Sequence, residues 1–335
     1  MRFEDIVGHD DVKRALVGMI DRDSIPHAIM FYENDGCGAL ALALAFLQYL
    51  VCRGREDGDS CGACPACGKV SKLIHPDVHF VFPVAGTKSV DKPTSETFIK
   101  EWRELVIANP YFLENELYEA LGLEAKATRI AVQEARAILD KLSLSSIERG
   151  YKAVVVYLPE KMNAEAANRL LKSIEEPPEM TQFLFITHAP EQVLTTIMSR
   201  CQLIRVLPSS VDEICNVLED KFGRSHDEAY VAAVSAGGSI GRALAYVSDN
   251  ENVEVEQSLF EELMNALVGG NLNAALEVAD SIAGLSSREK ILSFCRYSTD
   301  ALRKVFVLQQ SLPQLSPLTP REQTFIPAIA GKLKK

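Results

Sequence analysis

The chain has 335 residues, 47% hydrophobic and 24% charged, which fits a globular protein with room for two or three domains. Its net charge of −11 speaks against a protein that grips nucleic acid on its own, because such domains are usually basic. No apolar run approaches the roughly 20 residues that span a bilayer, and Met1-Arg-Phe-Glu-Asp5 carries no signal-peptide core, so the expected location is the cytoplasm.

Taken in chain order, His9–Arg22 has the apolar spacing of a helix, and Ser24-Ile-Pro-His27 interrupts it. Ala28–Tyr32 reads as a short buried strand and Ala39–Val51 as a helix with little polar surface. A cysteine-rich segment follows at 52–67. His79–Val84 then alternates like a strand, and residues 86–97 read as a flexible loop. Residues 98–125 look helical and acidic with a break at Asn109-Pro110, and 131–144 forms an amphipathic helix. Lys152–Leu158 is an apolar, β-branched run of the kind found in central parallel strands. Ala164–Glu175 reads as a helix stopped by Pro177-Pro178, Gln182–Thr187 as a strand, Gln192–Ser199 as a short helix and Leu203–Leu207 as a last strand. This alternation predicts a doubly wound α/β core over roughly residues 1–207. Beyond Ser209 only helical patterning remains, in Val211–Phe222, Asp227–Ala236, Arg242–Val247 and 253–310, and Pro313–Lys335 is proline-rich and irregular.

The junction between the first strand and the helix after it reads Glu33-Asn-Asp-Gly-Cys-Gly-Ala-Leu40. A phosphate-binding loop in this setting follows G-x-x-x-x-G-K-[ST]. Gly36 and Gly38 are present, but Glu33 replaces the first glycine, Ala39 the lysine and Leu40 the hydroxyl residue. Ala39 cannot offer a cation to phosphate, and Leu40 cannot bind magnesium. Backbone N–H groups near the glycines could still meet an anion, but Glu33 and Asp35 add negative charge there. The strand over Ala153–Val156 gives an independent test. Tyr157 and Leu158 stand where magnesium-binding and water-positioning carboxylates belong, and Glu160 comes too late and after a proline. The combined losses predict a chain that does not turn over ATP, with the glycines kept for the turn they allow.

Four of the eight cysteines form Cys52-x8-Cys61-x2-Cys64-x2-Cys67. Overlapping C-x2-C hooks with a fourth thiolate and no other ligand describe a closed structural zinc site rather than a catalytic one. Gly58, Gly62, Pro65 and Gly68 would provide its turns. A redox reading leaves the third hook and Cys52 unexplained. An independent nucleic-acid-binding zinc module is poorly supported by the few basic residues nearby, Arg53, Arg55 and Lys69. Cys37, Cys201, Cys215 and Cys295 read as scattered free thiols.

Phe3-Glu-Asp-Ile-Val-Gly-His9, Ile25-Pro-His-Ala28, the cysteine cluster, Ala166-Ala-Asn-Arg-Leu-Leu-Lys-Ser-Ile-Glu-Glu-Pro-Pro178 and Ser199-Arg-Cys201 occur here in that order. In these stretches the chain resembles the delta-prime subunits of the bacterial DNA polymerase III clamp loader, members of the AAA+ class. The likeness covers roughly residues 1–245 and is most specific over 163–201. It implies an AAA+ core over 1–207, with the zinc module at 52–67 and an insertion at 86–125. A helical lid domain over 208–250 and a helical collar domain over 251–335, shortened or incomplete, would follow.

The resemblance also implies a role: a stator without intrinsic ATPase activity or bound ATP. Its implied partners are gamma/tau and delta subunits, with the sliding clamp and primed DNA reached through the holoenzyme. Arg200, flanked by Ser199 and Cys201, would reach the nucleotide of a neighbouring ATPase subunit. Arg242, in Gly238-Ser-Ile-Gly-Arg-Ala-Leu244, falls at the second sensor position and is expected to contact a domain instead. Thr187-His188 falls near the first sensor, with His188 structural. The alternative within the family, an ATP-binding gamma/tau-like subunit, would require an atypical phosphate loop.

Overall fold

The protein is described by a computed structural model covering residues 1–333 except 88–89, 125, 249, 286–287, 313–314 and 316. The chain divides into two compact units. One comprises Met1–Glu213 with Ser239–Gly241, and the other Ile214–Gly238 with Arg242–Lys335. No helix among the described residues is long and apolar enough to cross a membrane.

The first unit is built on α1 (Asp10–Asp21), β1 (Ala28–Tyr32), α2 (Ala39–Val51), α3 (Pro65–Ser71), β2 (Val78–Val81), α4 (Ile99–Ala108), α5 (Glu114–Ala120), α6 (Val132–Ser143), β3 (Lys152–Tyr157), α7 (Ala164–Glu175), β4 (Thr181–Thr187), α8 (Thr195–Met198) and β5 (Gln202–Arg205). Its five strands form one sheet in the order β2-β3-β4-β1-β5, with every pairing parallel. This is the parallel α/β core expected from the alternation of strands and helices. All of β3 and β4 is buried, so their near-continuous apolar sequences match strands covered on both faces. Helix α2 is buried from Ala39 to Leu50, which accounts for a sequence that is hydrophobic all round.

Several expected boundaries move. The strand expected over His79–Val84 closes at Val81 because Phe82 leaves the ladder. Its amide donates to Ser95 Oγ at 2.9 Å, and Ser95 Oγ donates to the Phe82 carbonyl at 3.1 Å. That pair also gives the end of the expected 86–97 loop a buried anchor and a short 3₁₀ turn at Ser95–Phe98; Lys88 and Ser89 of that loop lie outside the described residues. A second 3₁₀ turn, Pro190–Gln192, delays the helix expected from Gln192 until Thr195. The last strand begins at Gln202 and closes at Arg205.

The insertion packs into the core through Trp102. Its ring stacks on Phe82 at 4.5 Å between centroids and lies 5.7 Å from Phe112 and 5.5 Å from Tyr157.

The helices α9 (Val211–Phe222), α10 (His226–Ser235), α11 (Ile240–Ser248), α12 (Asn250–Val268), α13 (Leu272–Ala283), α14 (Arg288–Gln309) and α15 (Pro320–Lys332) complete the chain. In the second unit, Phe260, Met264, Phe294, Ala301, Val305, Ile326 and Ile329 share one apolar cluster. The existence of α15 corrects the irregular ending expected for Pro313–Lys335, of which Pro313, Gln314, Ser316, Lys334 and Lys335 lie outside the described residues. Pro320 occupies the first helical turn, where a missing N–H is harmless, and Thr319 and Glu322 cap the helix reciprocally. The Glu322 carboxylate also takes both of its oxygens to the buried Lys304 ammonium, at 2.9 and 3.0 Å.

Replacing Trp102 by alanine removes the ring that ties the insertion to β2 and β3. The expected cost is about 3–5 kcal/mol, read as a lowered denaturation midpoint for the first unit.

Candidate functional site

At the end of β1 the backbone turns through Gly36 (φ +80°) and Gly38 (φ +118°) into α2. Both angles lie in the left-handed region where glycine costs little. Four N–H groups of a helix N-terminus lack partners within the helix and attract anions. Here the anion is internal. The Glu33 side chain curls back, and its Oε2 accepts the Ala39 N–H at 2.7 Å. Glu33 is almost wholly buried. Its other oxygen lies 3.6 Å from His188 Nε2, and Asp35 Oδ1 lies 3.3 Å from His188 Nδ1. These are ion-pair contacts without hydrogen-bond alignment. Burial opposes charge on His188, but Glu33 and Asp35 outweigh it and hold the ring up to about 9.

Two further segments of the first unit close over the loop. A Cβ placed on Gly36 would meet Leu113 Cδ2 and Ser239 Oγ at 2.8 Å and Gly241 Cα at 3.1 Å. Gly241 N–H donates to the Gly36 carbonyl at 3.0 Å, and Ser239 Oγ donates to the Asp35 carbonyl at 2.8 Å. Asp35 Oδ2 accepts the Glu114 N–H at 3.1 Å. The Tyr111 ring lies against Gly38.

Tyr157 and Leu158, at the expected magnesium position, are buried. Tyr157 packs on Phe112 at 5.3 Å and edge-on to His188 at 5.5 Å. Leu158 adopts a left-handed conformation (φ +58°). Glu160 turns away to accept from Thr187 Oγ1 at 2.7 Å and the His188 amide at 3.2 Å. The structure thus brings Gly36, Gly38, Ala39, Tyr157, Thr187 and His188 to one end of the sheet. The sequence reading missed Tyr111, Leu113, Ser239 and Gly241. Asn109-Pro110 reads in sequence only as a helix break and Gly238–Leu244 only as the surroundings of Arg242, and nothing local announces a contact between positions so far apart.

The four cysteines lie at the end of α2, in the following loop and at the start of α3. All four sulfurs are within 4.8 Å of one another, and those of Cys52 and Cys61 are 3.5 Å apart. A tetrahedral ion with bonds of about 2.3 Å requires sulfurs roughly 3.8 Å apart, so the group could hold a metal. Amides of Gly54 and Cys61 donate to the Cys52 sulfur and the Cys64 amide to that of Cys61, as thiolates require. The Ala63 amide lowers the Cys61 thiol. Burial opposes ionisation of Cys64, but the Arg53 and Cys67 amides outweigh it and lower that thiol to about 6; burial raises Cys67. Gly58 and Gly62 turn with positive φ. Pro65 and Gly68 instead belong to α3, which corrects their expected place in turns.

The module is tied to the sheet. Glu148 pairs with Lys69 and Arg53, and the Asp77 carboxylate accepts the amides of Ile147 and Glu148 at 2.7 and 2.8 Å.

Arg200, between Ser199 and the half-buried Cys201, stands far from the loop in sequence and is partly exposed. Its Nε and Nη2 donate to Glu175 Oε2 at 3.2 and 3.1 Å, and Nη1 donates to the Thr196 carbonyl at 2.9 Å. Arg242 belongs to the second unit.

Residues 8–210 match the family model described as DNA polymerase III, delta subunit. The chain belongs to that family. Its delta-prime members include relatives from Escherichia coli, 27% identical over 245 residues, and Yersinia pestis, 31% identical over 190. These alignments cover 73% and 56% of this chain but 61% and 44% of the relatives, so the chain spans less than two thirds of their length. The Escherichia coli tau subunit is 22% identical across 80% of the chain and 36% of its own length. A solved gamma-subunit-related protein from Thermotoga maritima superposes with a TM-score of 0.41 and 19% identity, covering 97% of this chain and 92% of that one.

One consequence of the loop geometry is a pH dependence. A histidine raised from 6.5 to about 9 stabilises the fold fully below pH 6.5 and ceases to as pH rises through about 9. Thermal midpoints should therefore fall across that window, and His188→Gln should remove the step.

Proposed function

We propose that this chain is a non-catalytic, delta-prime-type subunit of a DNA polymerase III clamp loader. It helps load the sliding clamp onto primed DNA, in a complex with gamma/tau and delta subunits. Its AAA+ core over 1–207 serves as a rigid frame, with a lid at 208–250 and a collar at 251–335. It holds no ATP and supplies Arg200 to the nucleotide of an adjoining ATPase subunit. Arg242 makes a domain contact rather than a nucleotide contact.

The observation that carries this reading is the Glu33 carboxylate on the Ala39 amide at 2.7 Å. An anion at a helix N-terminus is what a bound phosphate would be, and here a side chain fills that role. Ala39 and Leu40 bring neither the ammonium nor the hydroxyl that phosphate and magnesium need. Calorimetry of the isolated chain with magnesium-ATP is expected to show no binding. Tight binding would turn the reading towards a gamma/tau-like ATPase.

Arg200 suits the trans role because a planar guanidinium matches phosphate oxygens, and it sits at the surface rather than in a core. In a reconstituted complex, Arg200→Ala should lower clamp- and DNA-stimulated turnover at the adjoining site by about 10³-fold or more while assembly persists. Unchanged turnover would remove the role.

Cys52, Cys61, Cys64 and Cys67 would hold a structural zinc ion, four thiolates leaving no open position for chemistry. Elemental analysis should give one zinc per chain. Cys67→Ser should lower that content and destabilise the segment around α3.

A further inference from the structure

The insertion is the element whose purpose the proposed function leaves open. Its middle, Asn109–Glu114, is a turn between α4 and α5 whose side chains diverge. Phe112 points into the sheet side, 5.7 Å from Trp102 and 5.3 Å from Tyr157. Tyr111 and Leu113, one residue to either side, face the glycine loop: the Tyr111 ring comes within 3.0 Å of a Cβ built on Gly38, and Leu113 within 2.8 Å of one built on Gly36. The backbone takes part too. A Cβ on Gly241 would collide with the Tyr111 carbonyl oxygen and stand 3.2 Å from Gly36 Cα. Three remote segments therefore cross at backbone contact. The crossing is pinned by Gly241 N–H to the Gly36 carbonyl (3.0 Å), Ser239 Oγ to the Asp35 carbonyl (2.8 Å) and Glu114 N–H to Asp35 Oδ2 (3.1 Å).

Phosphates bound to such a loop lie against its backbone N–H groups and the N-terminus of the following helix. That volume is held here by Tyr111 and Leu113 above and by the Glu33 carboxylate at the helix end. We infer that residues 109–114 of the insertion are a built-in occupant of the former nucleotide cavity, locking the loop to Ser239–Gly241 as a ligand would. The inference rests on the reading of the loop as a retired nucleotide site. It adds that the cavity is closed by a plug as well as stripped of its chemistry. Restoring the lost side chains therefore does not restore binding while the plug stays seated.

The test uses the full chain in three forms. The first carries Glu33→Gly, Ala39→Lys and Leu40→Thr; the second carries Tyr111→Ala and Leu113→Ala; the third carries all five changes. Hydrogen exchange on the second form should be at least about tenfold faster at the amides of Ala39, Glu114 and Gly241, with strands β1, β3 and β4 as protected as in the native chain. Calorimetry with magnesium-ATP should give at least about tenfold tighter binding for the third form than for the first. Unchanged exchange in the second form overturns the inference, as does equal ATP affinity of the first and third. Binding of magnesium-ATP by the native chain would instead defeat the reading of a retired site, a separate result because it needs no variant.

Discussion

The carboxylate of Glu33 on the amide of Ala39 is the contact around which the first unit is arranged. Helix α2 is buried almost from end to end, so water cannot serve the N–H groups at its start. A helix start in that position needs an acceptor from within the protein or from a ligand, and an anion is favoured there. Taking it from the first residue after β1 keeps the strand–turn–helix connection while dispensing with a ligand. The rest follows as compensation for buried negative charge: His188 sits between Glu33 and Asp35, and Asp35 is further occupied by the Glu114 amide. Tyr157 then packs edge-on against that same histidine.

Much of this architecture is legible in the sequence. Strands β1, β3 and β4 announce themselves by unbroken apolar sequence, because both of their faces are covered. The cysteine group is readable from spacing alone, since two C-x2-C hooks and one more thiol can converge with only local turns. The loss of lysine and hydroxyl at Ala39 and Leu40 is likewise a fact of sequence.

What stayed hidden depends on distance along the chain. That Glu33 turns back onto the helix is a rotamer choice. That Gly241 meets the carbonyl of Tyr111 needs both segments folded. Pro313–Lys335 was misread for a simpler reason. A proline-rich composition reads as irregular, whereas Pro320 stands in the first helical turn, which favours proline, and Thr319 and Glu322 cap around it. The shortened β2 was hidden likewise, because only the fold brings Ser95 to Phe82.

The cysteine group and the glycine loop share α2, which carries Cys52 at one end and the Glu33 contact at the other. The far end is also bracketed to the sheet, through Glu148 on Lys69 and Arg53 and through Asp77 on the 146–148 turn. Burial alone would raise the Asp77 carboxyl, but the amides of Glu148 and Ile147 and the Ser146 hydroxyl prevail and lower it. Both ends of this buried helix are thus held by fixed polar contacts, to which Gln48 and Tyr49 add bonds to Ser60 and Asp21, while Leu40–Leu47 packs through apolar side chains.

The pairing of Arg200 with Glu175 has a bearing on specificity. At rest the guanidinium is neutralised by a carboxylate and steadied by the Thr196 carbonyl. Exposed pairs of this kind contribute roughly 0–1 kcal/mol, so the bond holds a direction more than it holds the side chain. A single weak anion gains little by displacing Glu175. In the proposed trans role, a triphosphate presented at fixed distance by a docked neighbour, with several charged oxygens, would gain a great deal. In that role the arginine would therefore be muted towards stray anions and responsive to one that arrives already oriented, so that contact with a neighbour's nucleotide would depend on correct assembly.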